Sequence, residues 1–227
     1  TVEKQLDALR CLGVFPDLNE KNLFFHIPIS ARKTIQKRLL EAQIKIGEYI
    51  HIHPVSRWMF KTLPTQTVVD VIRFLHGKGK KIVLTGSKDP SEIEMNKEIC
   101  LKAKDIPILN LSGAINLKEL GAVIAKSACL LSVDSVPLHL ASSLKVPVIA
   151  IFGPSCEKNW GPYHHPISQT LFQSFPCRPC YQPGCGGSGK SECLTTLPAE
   201  VIIHSVSALL QKIEQPLKSF IKEDSIV

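Results

Sequence analysis

Between residues 48 and 152 the sequence switches repeatedly between short runs of β-branched and other apolar residues and longer stretches with helical spacing of apolar positions. Parallel strands must be joined by crossovers, so this alternation predicts a doubly wound α/β fold: a parallel sheet with helices on both faces. Strands are expected at Tyr49–His53, 81–85, 106–109, Cys129–Val133 and Val148–Phe152, and helices at 66–76, 91–103, 117–126 and Val136–Leu144. Two further helical stretches, 2–12 and 30–48, precede the sheet. A segment rich in Cys, Pro and Gly occupies 172–197, and helical periodicity returns over 199–220. The predicted organisation is a connecting helical lead-in over 1–47 and one Rossmann-like domain over 48–227, with a Cys-rich loop at 177–193.

Composition narrows the function classes. With 227 residues, 44% of them hydrophobic, the chain has enough apolar side chains for a sizeable core, which disfavours global disorder. Its longest apolar stretches, 129–133 and 146–152, fall far short of the roughly 20 residues that span a bilayer. The start, Thr1 to Gln5, has neither an initiator Met nor the apolar stretch of an export signal, and reads as a truncation. Eight cysteines without an export signal point to a reducing compartment, the cytoplasm. A net charge of +7 favours anionic partners without choosing among them.

Ligands of doubly wound sheets bind at the carboxyl ends of the strands, so the residues that follow each strand are the site candidates. After the first expected strand come Ser56, Arg57 and Lys61; the Lys61 ammonium suits phosphates, and Ser56 and Arg57 could assist it. After the fourth come Asp134 and Ser135, with His139 one turn further on. Ser135 is expected to cap a helix whose first turn tolerates Pro137, and that helix start would point unpaired N–H groups at an anion. An ordinary capped helix with a buried histidine would give the same pattern.

The spacing Cys177-x2-Cys180-x4-Cys185-x7-Cys193 supplies the four thiols of a structural zinc site, although the second pair is wider than a CxxC knuckle. A reduced loop cluster without metal is the plain alternative. A zinc-ribbon module binding nucleic acid is a competing reading, but only Arg178, Tyr181 and Lys190 lie near these cysteines to support it.

Taken together and in order, 53–61 (His-Pro-Val-Ser-Arg-Trp-Met-Phe-Lys), 133–139 (Val-Asp-Ser-Val-Pro-Leu-His), 152–155 (Phe-Gly-Pro-Ser) and 159–162 (Asn-Trp-Gly-Pro) resemble glycosyltransferase family 9, nearest its lipopolysaccharide heptosyltransferase III type. The resemblance implies the C-terminal, nucleotide-sugar-binding half of a GT-B enzyme. Such enzymes carry out inverting transfer of heptose from ADP-heptose to the lipopolysaccharide inner core. It implies that Lys61 stabilises the departing diphosphate, and that Ser56, Arg57, Asp134, Ser135 and His139 line the pocket. Glu92 takes the place of a ribose ligand, with Glu94 close by as an alternative. Val136 and Leu138 stand where a heptosyltransferase I has Gly and Ser. No cofactor is required for this chemistry, and the catalytic base and acceptor site are expected on an N-terminal domain outside this chain, which leaves a binding fragment without turnover as the alternative. A GT-B-like nucleotide-sugar epimerase is a further reading that would share the sheet but need two catalytic carboxylates of its own. The implied setting is the cytoplasm, at the inner face of the inner membrane with peripheral membrane contact, and without nucleic acid as a partner.

Overall fold

The computed structural model describes residues 2–221. Six parallel strands form one sheet: β1 (Tyr49–His53), β2 (Lys81–Leu84), β3 (Ile108–Asn110), β4 (Cys129–Val133), β5 (Val148–Phe152) and β6 (Ser168–Phe172), in the order β3-β2-β1-β4-β5-β6. The winding reverses between β1 and β4, which pair from Ile50 opposite Cys129 to His53 opposite Ser132. Every residue of β1, β4 and β5 is buried, as expected of central strands covered on both faces.

The helices are α1 (Val2–Arg10), α2 (Ile29–Glu41), α3 (Thr65–Gly77), α4 (Pro90–Lys102), α5 (Leu117–Ala125), α6 (Val136–Leu144), two single turns α7 (Glu157–Trp160) and α8 (Glu192–Thr195), and α9 (Ala199–Ile221). On one face α3, α4 and α9 cover Ile50, Ile52, Ile82, Leu84, Leu131 and Ile149. On the other, α2, α5 and α6 cover Tyr49, Val83, Leu130, Val148 and Phe152. Within the 1–47 lead-in, α2 packs against α5 and buries Ala31, Ile35 and Leu39. Segment α1 buries none of its residues; Glu3 instead accepts a 2.7 Å hydrogen bond from the Tyr163 hydroxyl and ion-pairs with Arg10 and Lys21.

Besides the short helices α7 and α8 and the earlier end of α1, three elements differ from the sequence expectation in ways with a clear cause. The third strand starts at Ile108 because Pro107 has no N–H for the ladder. The stretch 30–48 is helical only to Glu41, after which Gln43 takes a left-handed conformation (φ 55°) and the chain turns Ile44 into the core. Strand β6 was not expected: its Ser-Gln-Thr start lacks an apolar run, and it pairs with β5 as a half-buried edge.

Candidate functional site

Where the winding reverses, the strand ends enclose an open cleft of about 1070 Å³. It brings together all seven nucleotide-sugar candidates: Ser56, Arg57, Lys61, Glu92, Asp134, Ser135 and His139. The crevice at the topological switch point accounts for the location, since the loops leaving β1 and β4 diverge there to opposite faces of the sheet.

The centre of the cleft is a charged hydrogen-bonded group. Lys61, at the end of a 3₁₀ turn (Met59–Lys61), donates from Nζ to Asp134 Oδ2 at 2.7 Å, and Ser155 Oγ donates to the same oxygen at 2.6 Å. Asp134 and Ser155 are buried, whereas the Lys61 side chain keeps 21% exposure, so two of its three ammonium hydrogens remain for a ligand. Ser155 was outside the candidate list, although Phe152-Gly153-Pro154-Ser155 follows β5 where such a residue belongs.

Helix α6 opens onto the cleft with Ser135 at its N-cap position, but the side chain makes no capping bond, which corrects the expectation. A capping hydroxyl bonds the N–H of the second or third helical residue. Here the second is Pro137, which has none, and Leu138 N–H is taken by the Ser135 carbonyl. The Ser135 hydroxyl therefore remains uncommitted beside the positive end of the helix. His139 lies one turn in, with Trp160 from α7 at 6.4 Å between ring centroids; burial pushes its imidazole below the ordinary value, against the opposing pull of the Asp134 carboxylate.

At the other side, Glu92 is buried at the start of α4 and accepts the Ser87 N–H at 2.7 Å. Glu94 points to solvent and pairs with Lys97, so of the two only Glu92 lines the cleft. Arg57 lies 5.6 Å from the Trp58 ring centre, an exposed cation–π pair on the rim. Asp89, held below the usual carboxylate range by its bonds to Ser91, caps α4. Ile115, Leu117 and Leu120, from the start of α5, form an apolar end.

In the Cys-rich loop, burial and then the neighbouring Cys185 and Cys180 thiols raise the Cys193 thiol above its ordinary value. Among the described residues no three His, Cys, Asp or Glu side chains are grouped to hold a metal ion. Cys193 is drawn into the core beside Leu194 on α8, while Cys177 and Cys185 face solvent and Cys180 lies between. All four are free thiols. In a native thiol-labelling experiment Cys177 and Cys185 are expected to react well before Cys129, whose thiol burial pushes up to about 12. A chelator that accelerates labelling of Cys177 and Cys185 would reveal a bound metal.

The loop also braces the cleft. The Arg178 guanidinium donates to the Gly153 carbonyl at 2.5 Å and the Ser155 carbonyl at 3.3 Å, pairs with Glu157 at 3.1 Å and stacks over Phe172 at 4.5 Å. Ser191 Oγ donates to the Phe60 carbonyl at 2.6 Å, inside the turn that carries Lys61. One segment thus fixes both loops whose side chains meet at Asp134.

Compared with known proteins, residues 2–188 match the model of glycosyltransferase family 9 (heptosyltransferase). A lipopolysaccharide heptosyltransferase 3 from Escherichia coli is 29% identical over 210 residues, which cover 92% of this chain and 60% of that protein. The fold is similar to a glycosyl transferase family 9 structure from Veillonella parvula (TM-score 0.75, 23% identity, covering 91% of this chain and 59% of that one). It is also similar to E. coli heptosyltransferase WaaC with ADP (TM-score 0.57, 20% identity, 77% and 48%). The chain spans about 60% of the length of the curated heptosyltransferase 3.

Proposed function

The chain belongs to glycosyltransferase family 9, the heptosyltransferases, and from that premise we propose that it binds ADP-heptose and supplies the donor side of an inverting transfer of heptose to the lipopolysaccharide inner core. The observation that carries this reading is the meeting of Lys61, Asp134, Ser155 and the start of α6 at the switch point. As the sugar–oxygen bond breaks, negative charge grows on the diphosphate. The Lys61 ammonium and the α6 N-terminus are fixed in advance to stabilise it. Asp134 orients Lys61 and, with His139 and Trp160, forms the sugar end; Glu92 takes the ribose; Ser56, Ser135 and Arg57 add donors. Positive charge is provided by the protein, so the proposed reaction calls for no metal.

The carboxylates lining the cleft are already engaged: Asp134 with Lys61 and Ser155, Glu92 with the Ser87 N–H, and Asp89 as a helix cap. The proposal therefore assigns the base that activates the acceptor hydroxyl to a part of the enzyme outside the described residues, working in the cytoplasm at the inner membrane face. Titration calorimetry with ADP-heptose, beside a radiolabelled transfer assay, is expected to show binding without transfer. Lys61→Ala is expected to weaken ADP binding ~10–100-fold, the range for a hydrogen bond to a charged group. Lys37→Ala, on the solvent side of α2, should change nothing. Equal affinities for the two variants would take Lys61 out of the site.

A further inference from the structure

Directly beneath the diphosphate end of the cleft lie two buried histidines of β1, His51 and His53, on the same sheet face. Between them sits Thr85, the residue after β2, whose hydroxyl is 2.6 Å from His51 Nε2 and 2.8 Å from His53 Nδ1. Its backbone is pinned on both sides: Thr85 N–H donates to the Ile52 carbonyl, and Asn96 Nδ2 donates to the Thr85 carbonyl. His53 lines the cleft. We propose that His53 is a ligand-binding residue, held by a relay from His51 through Thr85 as the neutral Nε2–H tautomer, so that its Nε2–H donates to a diphosphate oxygen. This inference rests on the nucleotide-sugar reading of the cleft and adds to it a donor and the residues that set its proton.

The proton positions follow from counting donors. Thr85 has one hydroxyl hydrogen and two imidazole neighbours. If both rings donate to it, that hydrogen is left buried without an acceptor. If the hydroxyl donates to His51 Nε2, then His51 must carry its proton on Nδ1, an atom that is buried and has no partner. An orphaned N–H is the rarer and costlier defect in a protein interior. The remaining arrangement has His51 Nε2–H donating to Thr85 and Thr85 O–H donating to His53 Nδ1. It leaves only a lone pair unpartnered at His51 Nδ1, and it places the His53 proton on Nε2. Burial disfavours charge on either ring, so His53 offers a donor without adding a cation.

A neutral donor at this point has a chemical use. Lys61 and the α6 terminus already supply positive potential, and a third contact that is directional but uncharged fixes one diphosphate oxygen without tightening ground-state binding through further charge. His51 and Thr85 act only through His53 and are positioning residues.

The test combines a spectroscopic arm with a binding arm on the full chain. Two-bond ¹H–¹⁵N correlation spectra of ¹⁵N-histidine-labelled protein are expected to show His51 and His53 as neutral Nε2–H tautomers. Calorimetric titration with ADP is expected to give ~10-fold weaker binding for His53→Asn, whose amide matches only Nδ1, and binding within ~3-fold of wild type for His53→Gln, whose amide nitrogen reaches the Nε2 position. Thr85→Val should give a mixture of His53 tautomers and an intermediate loss. Adenosine, which lacks the diphosphate, should bind equally to all. An Nδ1–H tautomer at His53, or wild-type ADP affinity in His53→Asn, overturns the inference while leaving the functional reading intact. A wild-type chain that binds no ADP overturns that reading and the ligand assigned to His53 with it.

Discussion

Lowering the pH from 7 to 5 is expected to remove about 4 kcal/mol from the unfolding free energy of this protein. The cause is the same histidine pair. Burial drives both imidazoles well below their ordinary value, His53 to about 3, and His51 is further disfavoured as a cation by His53 beside it. Once unfolded, each ring takes up its proton near the ordinary histidine value of about 6.5. Below that pH the unfolded chain protonates both rings while the folded chain does not, so this stability is present above about pH 6.5 and is lost as the pH falls, by ~2 kcal/mol per histidine down to pH 5. His139 and His165, also lowered by burial, act in the same direction. Paired carboxylates such as Asp105 and Glu98 are depressed too, but their losses fall mainly below about pH 5, where unfolded carboxylates begin to protonate. Urea unfolding curves at pH 7, 6 and 5 check this. His51→Gln, which keeps a donor for Thr85, should lose roughly half as much, and a slope unchanged by that substitution would mean that His51 is not refusing a proton.

Arg178→Ala is expected to lower stability by ~3 kcal/mol and the melting temperature by ~6–12 °C. The Arg178 side chain is only 6% exposed, and truncating it leaves Glu157 without its cation, two backbone carbonyls without a donor, and Phe172 without the guanidinium stacked on it. The damage should also reach the cleft, because Ser155, whose carbonyl Arg178 holds, donates to the carboxylate that orients Lys61. ADP affinity is therefore expected to fall although Arg178 does not line the cleft. Arg178→Lys restores a charge but not the planar fork, and should recover only part of both losses. Differential scanning calorimetry paired with ADP titration measures the two effects; an unchanged melting temperature and affinity would mean that the loop braces nothing.

The central strands were readable because they are buried on both faces and so are mostly apolar, as in Val148–Phe152. The residues after those strands were readable for the same reason, since polar groups such as Asp134 and Lys61 stand out directly beyond apolar runs. What sequence reasoning missed acts through distant partners. Nothing local marks Arg178 as reaching Ser155, or Ser191 as reaching Phe60 across 131 residues of chain. The four cysteines left metal site and plain loop cluster open because spacing alone does not fix direction: the turn into α8 sends Cys193 inward while Cys185 stays exposed. His51 read as an ordinary strand residue, and only its position beside Thr85 on the neighbouring strand gives it a role.

The two ends of the cleft depend on different parts of the fold. The charged end is made by side chains at the tips of buried strands, where any change is felt by the core. The apolar end is made by Ile115, Leu117 and Leu120, part-buried or exposed residues around the start of one helix that a capping box of Asn116 and Glu119 holds in place. This makes ligand preference divisible. Under the proposed reading of the cleft, a nucleobase would lie against the stretch 115–120, whose part-buried or exposed side chains could exchange with little effect on the core, whereas Asp134 and His53 are buried. Among proteins with this architecture, diversity of nucleotide choice is expected to gather at the start of α5, and uniformity at the ends of β1 and β4.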